Sequence, residues 1–159
     1  MAVIWTAPRP GEEGSVGHVR ATLPVTNRAD QILAERGLMR PEEVRTVTLD
    51  HVLVDTGATL LGLPADVIAR LGLAFRQDIT AQTAAGPRRT PRFRDAEITL
   101  LGRSGTFDCV ELTGGASALL GVIPLETLGI EPDVRNGTLR LLPEGPDESH
   151  ILAYNSHGP

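Results

Sequence analysis

The sequence predicts an all-β fold with one or two short helices, on three observations. Glycine and proline are abundant, 17 and 12 of 159 residues, which favours many turns between short strands. Residues 18–26 and 88–101 alternate apolar and polar side chains with the period of a half-buried strand. Two compact apolar runs, Val52-Leu53-Val54 and Leu60-Leu61, flank a tight turn in the manner of strands buried on both faces.

Taken in order, residues 1–15 mix Pro, Gly and Glu around Trp5 and are expected to form a flexible arm, unless Trp5 docks on the body or on a partner. Residues 18–26 read as a strand, with Pro24 suggesting a sheet edge. Asn27 caps a helix over 27–36, Ile32 and Leu33 supply its apolar face, and Gly37 ends it. Pro41-Glu42-Glu43 starts a short turn, and 45–54 is a strand running into Asp55. Pro64 sits in the first turn of a second helix, where proline is tolerated. Val67, Ile68 and Leu71 share its inner face, and Gly72 stops it.

Residues 75–83 and 88–101 are extended arms around the turn Ala84-Ala85-Gly86-Pro87, with Ala96, Ile98 and Leu100 on one face. Residues 102–105 read as a loop, 106–112 as a strand, and Thr113-Gly114-Gly115 as its break. Leu119-Leu120-Gly121 followed by a proline-containing helix and Leu128-Gly129 repeats the pattern Leu60-Leu61-Gly62 to Leu71-Gly72. This faint duplication implies two similar halves. Asn136-Gly137 is a hairpin turn leading into a last strand over 138–142. A domain over 16–143 is thereby bounded by the arm and by a mobile tail over 144–159.

Composition narrows the function. Aromatic residues are only 3% of the chain, so the core is aliphatic. Net charge is −5, so no global field calls for nucleic acid or an anionic membrane. All basic residues are arginine. The single cysteine, Cys109, excludes an internal disulfide and is compatible with a cytoplasmic setting. No signal-peptide pattern and no membrane-spanning apolar run is visible. His18, His51, His150 and His157 lack zinc spacing. Arg88, Arg89, Arg92 and Arg94 around Phe93 read as a solvated hairpin arm, and Cys109 as packing.

The stretch around which the rest is organised is Val52 to Gly62. Its apolar run delivers Asp55 into a packed turn that Gly57 makes possible. A carboxylate there is costly unless it is paired, hydrogen-bonded or used. It is expected either to cap its turn or to do chemistry.

With these residues in view the chain resembles the retropepsin-like aspartic proteases, single-domain relatives of pepsin. Leu53-Val54-Asp55-Thr56-Gly57-Ala58-Thr59 matches the family's signature turn. Leu119-Leu120-Gly121 and the following helix match its later apolar element. Thr83-Ala84-Ala85-Gly86 falls where the family carries a flap hairpin. The resemblance spans about 16–142 and implies a closed barrel of the acid-protease type. It implies an aspartic endopeptidase without metal or cofactor, whose partners are a second copy of itself and an extended peptide or protein substrate. Asp55, Thr56 and Gly57 would be catalytic. Thr56 would tie two subunits through hydroxyl-to-backbone bonds. Ala58, Ala84, Ala85 and Gly86 would contact substrate, and 138–142 would help build the interface.

Two carboxylates must face one water in this chemistry, one accepting a proton and the other donating to the carbonyl oxygen. Crowded acids do not both ionise cheaply. No second Asp-Thr-Gly or Asp-Ser-Gly occurs, and Asp50, Asp66, Asp78, Asp95, Asp108 and Asp133 lack an apolar turn setting. The site would therefore need Asp55 from two copies about a two-fold axis. Two departures from the family stand out: the added segment 27–45, and Val122-Ile123 in place of a polar pair. They leave open a non-catalytic dimerisation or peptide-binding module on the same fold. The pattern Asp55-x-Gly57-x-Thr59 also resembles the phosphate loop of actin-like ATPases, but that fold needs two lobes and at least twice this length.

Overall fold

The computed structural model describes residues 3–4 and 18–143. Apart from Val3–Ile4, the arm with Trp5 lies outside the described residues, as do the tail over 144–159, His150 and His157. The strands are β1 (Val3–Ile4), β2 (Val19–Asn27), β3 (Thr46–Val54), β4 (Leu61–Pro64), β5 (Ala74–Thr83), β6 (Gly86–Leu100), β7 (Arg103–Leu112), β8 (Leu119–Leu120), β9 (Ile130–Asp133) and β10 (Thr138–Leu141). Three short helices interrupt them, α1 (Arg28–Glu35), α2 (Ala65–Leu71) and α3 (Val122–Leu128), with a 3-10 turn at Pro41–Glu43. The fold is all-β; its helices exceed the one or two of the fold-class expectation, but each of the three falls on a segment read as helical.

The main sheet runs β1-β5-β6-β2-β3-β8-β4-β7, and β6 also pairs with β7. That last pairing closes the strands from β6 to β7 into a barrel, which removes their free edges. β9 and β10 form a separate antiparallel ribbon; the first of these strands was not anticipated. Inside the barrel, Leu23, Val25, Val52, Leu61, Ile98 and Leu120 are fully buried. Ala96, Ile98 and Leu100 all face inward, as their alternation requires.

Local chemistry explains the departures. Pro24 is not on an edge strand, because β2 lies between β6 and β3. However, β6 pairs only with Val25, Thr26 and Asn27, so the missing N–H of Pro24 falls just beyond that ladder. The turn between β6 and β7 is shorter than the loop expected over 102–105. Leu101 and Gly102 both take positive φ, as the tight hairpin turn of two residues demands. Pro64 closes β4 and precedes α2 rather than lying inside it.

The anchoring of α1 also differs from expectation. Leu33 is exposed and Ile32 only half-buried, so the expected apolar face does not hold the helix. Buried polar groups hold it instead. Asn27 Oδ1 accepts the Asp30 N–H at 3.1 Å, and Asn27 Nδ2 donates to the Leu71 carbonyl at 2.8 Å. Asp30 accepts from Arg45 Nε at 2.8 Å, Arg45 Nη2 at 2.9 Å and the Arg45 backbone N–H at 3.1 Å. These bonds hold the Asp30 carboxyl below the usual carboxylate range and outweigh its burial. One network thus joins the inserted helix, the end of α2 and the start of the strand that leads to Asp55. No helix among the described residues is long and apolar enough to cross a membrane.

Candidate active site

β3 delivers Asp55, and a short parallel contact holds β3 in place. Leu53 and Val54 pair with Leu119 and Leu120. The Leu53 N–H donates to the Ala118 carbonyl at 2.9 Å, and the Asp55 N–H to the Leu120 carbonyl at 3.0 Å. The chain then turns. Asp55 Oδ1 accepts the Gly57 N–H at 2.8 Å, and the Asp55 carbonyl accepts the Ala58 N–H at 3.1 Å. One carboxylate oxygen therefore orients the group. Among the described residues nothing bonds Oδ2. Asp55 is half-buried, while the adjacent Thr56 and Gly57 are exposed. Within one chain the carboxylate is not dry, contrary to the packed-turn expectation, and Thr56 Oγ1 has no partner among the described residues.

The second apolar element clamps the turn from below. Val122 and Ile123 donate their backbone N–H groups to the Ala58 carbonyl at 2.8 Å and the Thr59 carbonyl at 3.0 Å. Gly121 permits this approach. A Cβ there would lie 2.5 Å from the Leu60 carbonyl oxygen and 2.8 Å from the Leu60 nitrogen. The duplicated Leu-Leu-Gly elements meet directly, since Gly62 of β4 pairs antiparallel with Leu119 of β8. Both following helices end at a left-handed glycine, Gly72 and Gly129.

β5 and β6 form the long hairpin expected as a flap, with Ala84 and Ala85 at its tip. Thr83 Oγ1 accepts the Ala85 N–H at 3.2 Å and donates to the Gly86 carbonyl at 2.8 Å, which stiffens the tip. Between the hairpin and the end of β7 lies a pocket of about 440 Å³, lined by Ala81, Ala84, Ala85, Gly86, Val110 and Leu112 among others. Arg88 Nη1 donates to Thr113 Oγ1 at 3.0 Å across its rim. Leu112 and Thr113 were read only as a strand end and a break. Their role depends on a non-local pairing that carries no local signal.

The structure thus groups Ala84, Ala85 and Gly86 in one pocket, and Asp55, Thr56 and Gly57 in one turn. Asp55 does not line that pocket. The connection runs through packing: Ala58, expected to contact substrate, is buried in a cluster with Leu112 and Leu119. Elsewhere the arginine run is paired, Arg89 with Asp78 and Arg92 with Asp108. Cys109 is fully buried, and burial next to Asp108 pushes its thiol up to about 12, so it is packing rather than a nucleophile. His18 and His51 are exposed.

A closed barrel that presents one Asp-Thr-Gly turn, clamped by a Leu-Leu-Gly element beneath it, defines an aspartic-protease scaffold. Residues 43–123, half of the chain, match the family described as aspartyl protease, and the chain belongs to that family. Among solved structures it is similar to EIAV protease complexed with the inhibitor HBY-793, at 19% identity and a TM-score of 0.43, over 69% of this chain and 88% of that one. No curated protein matches it.

Proposed function

We propose that the protein is an aspartic endopeptidase acting as a homodimer on extended peptide or protein substrates. The observation that carries this reading is the state of Asp55. One oxygen is fixed by the Gly57 N–H, the other is unbonded among the described residues, and the adjacent Thr56 and Gly57 are exposed. Two such turns meeting about a two-fold axis place two carboxylates around one water. The ionised Asp55 takes a proton from the water, whose oxygen bonds to the scissile carbonyl carbon. The protonated Asp55 gives its proton to the carbonyl oxygen. The tetrahedral intermediate then collapses: its C–N bond breaks, the nitrogen takes a proton from one carboxyl, and the hydroxyl proton returns to the other. The two Thr56 hydroxyls tie the turns across the axis. Ala84, Ala85 and Gly86 close over the substrate, whose backbone adds to the hairpin as a strand. β10 contributes to the subunit contact. With its free, buried Cys109 the protein suits a reducing compartment such as the cytoplasm.

A second reading, a non-catalytic dimerisation or peptide-binding module, is favoured by exposed Ile123 beside half-buried Val122 at the base of the turn. Incubation of wild type and Asp55→Asn with a peptide library across acidic to neutral pH, read by mass spectrometry, separates the two. Cleavage by wild type alone supports the peptidase. Equal cleavage by both proteins removes Asp55 from the chemistry, and binding without cleavage supports the module.

A further inference from the structure

β5 is the outer strand of the hairpin, and its free edge would offer unpaired backbone groups to any extended chain. In this molecule the edge is taken. Val3 and Ile4 run parallel to β5, in register with Ala81 and Gln82, immediately before the hairpin tip. β1 is the last strand of the sheet on that side. Ala81 is buried and lines the pocket between hairpin and β7. On the far wall of that pocket stands Leu112, which packs on Ala58, three residues past Asp55. The added strand therefore lies along the hairpin wall of a pocket whose far wall packs against the Asp55 turn.

We infer that this edge is a strand-accepting site and that the chain's own Val3–Ile4 segment is its resting occupant, competing with substrate. The inference rests on the peptidase reading for its kinetic consequence, since a substrate adding to the hairpin needs the same backbone groups. Two residue pairs make a weak contact. A tethered segment, however, acts at an effective concentration near millimolar, enough to compete with peptides that bind in that range. The occupant lowers apparent substrate affinity and leaves the chemical step alone.

The test replaces Val3 and Ile4 together by proline in the full-length chain. This removes both backbone N–H groups without shortening the protein. Steady-state cleavage of a reporter peptide by the Val3→Pro/Ile4→Pro protein is expected to show KM lowered about 2–10-fold at unchanged kcat. A synthetic peptide of residues 1–8, added to this variant, is expected to raise KM back competitively. Hydrogen exchange at Ala81 and Gln82 gives a readout independent of catalysis, carried out in the Asp55→Asn background. The double-proline change is expected to accelerate exchange there while the barrel amides of β3 stay protected. Unchanged exchange at Ala81 and Gln82 overturns the inference even if the protein never cleaves a peptide. Unchanged KM with accelerated exchange overturns the competition. Removal of the segment by the wild-type protein itself, seen in its intact mass, makes it a substrate and also overturns the inference.

Discussion

Gly121→Ala strikes the contact on which the Asp55 turn rests. The new Cβ would sit 2.5 Å from the Leu60 carbonyl oxygen and 2.8 Å from the Thr59 carbonyl carbon, where ordinary contact begins at 3.4 Å. Backbone must retreat by close to an ångström, because no flexible side chain is there to give way. Gly121 has φ −90° and ψ −175°, a conformation open to alanine, so the penalty is steric alone. Overpacking of this kind costs about 1–3 kcal/mol. The same displacement stretches the bonds from Val122 to Ala58 and from Ile123 to Thr59, 2.8 and 3.0 Å long, each contributing about 1 kcal/mol. Together they give a loss of about 3–5 kcal/mol and a fall in Tm of roughly 10–15 °C for a domain of this size. Gly62→Ala is the matched control. Its Cβ would meet Leu112 Cδ2 at 2.8 Å, the far end of a side chain that adjusts, so about 1 kcal/mol is expected. Urea denaturation of both variants measures the difference, and peptide cleavage by Gly121→Ala should fall about 10²-fold as the turn moves. Equal stability of the two variants, or a worse loss for Gly62→Ala, refutes the clamp.

Further predictions follow from the buried groups. Arg45→Met leaves Asp30 buried with only backbone support, and should cost about 2–3 kcal/mol, less than for a fully buried pair because Arg45 is half-exposed. Asp30 is held below its ordinary range in the folded chain, so the stability it confers is complete above about pH 3.9 and fades as pH falls through the lower folded value. The gap between wild type and Arg45→Met in urea titrations should accordingly narrow in acid; a gap that is constant or widens contradicts the assignment. Cys109 stays protonated to about 12 in the folded state, while an unfolded thiol ionises near 8.5. Wild type should therefore lose about 1.4 kcal/mol per pH unit above about 8.5 relative to Cys109→Ala, and the native thiol should resist alkylation; rapid labelling of folded protein contradicts this.

How far the sequence reached depended on whether a signal was local. Asp55-Thr56-Gly57 after an apolar run, the Asn27 cap, the glycine stops at Gly72 and Gly129 and the hairpin tip are all written in a few adjacent residues, and the structure has each of them. The barrel closure is not, because β6–β7 pairing and the parallel β3–β8 and β4–β7 contacts join distant segments. The anchoring of α1 inverted the usual pattern: an apolar pair at Ile32 and Leu33 drew attention, yet the buried residue is Asp30. Its partner Arg45 lies fifteen residues on, a relation that no periodicity encodes. The pocket wall at Val110, Leu112 and Thr113 was read only as a strand and its end, because its lining role arises from the hairpin folding over it. Pro24 suggested a sheet edge, but its strand lies inside the sheet, and its missing N–H goes unnoticed only because the ladder to β6 starts one residue later.

The central claim, that one active centre needs Asp55 from two subunits, is tested most directly by mixing. Wild type and Asp55→Asn are combined in equal amounts, allowed to exchange subunits, and assayed for peptide cleavage at fixed total protein. Random pairing leaves about one quarter of the dimers with two aspartates, so activity should fall to about one quarter of that of pure wild type. Activity at about one half means that each chain cuts alone, and about three quarters means that one aspartate suffices; either result contradicts the account.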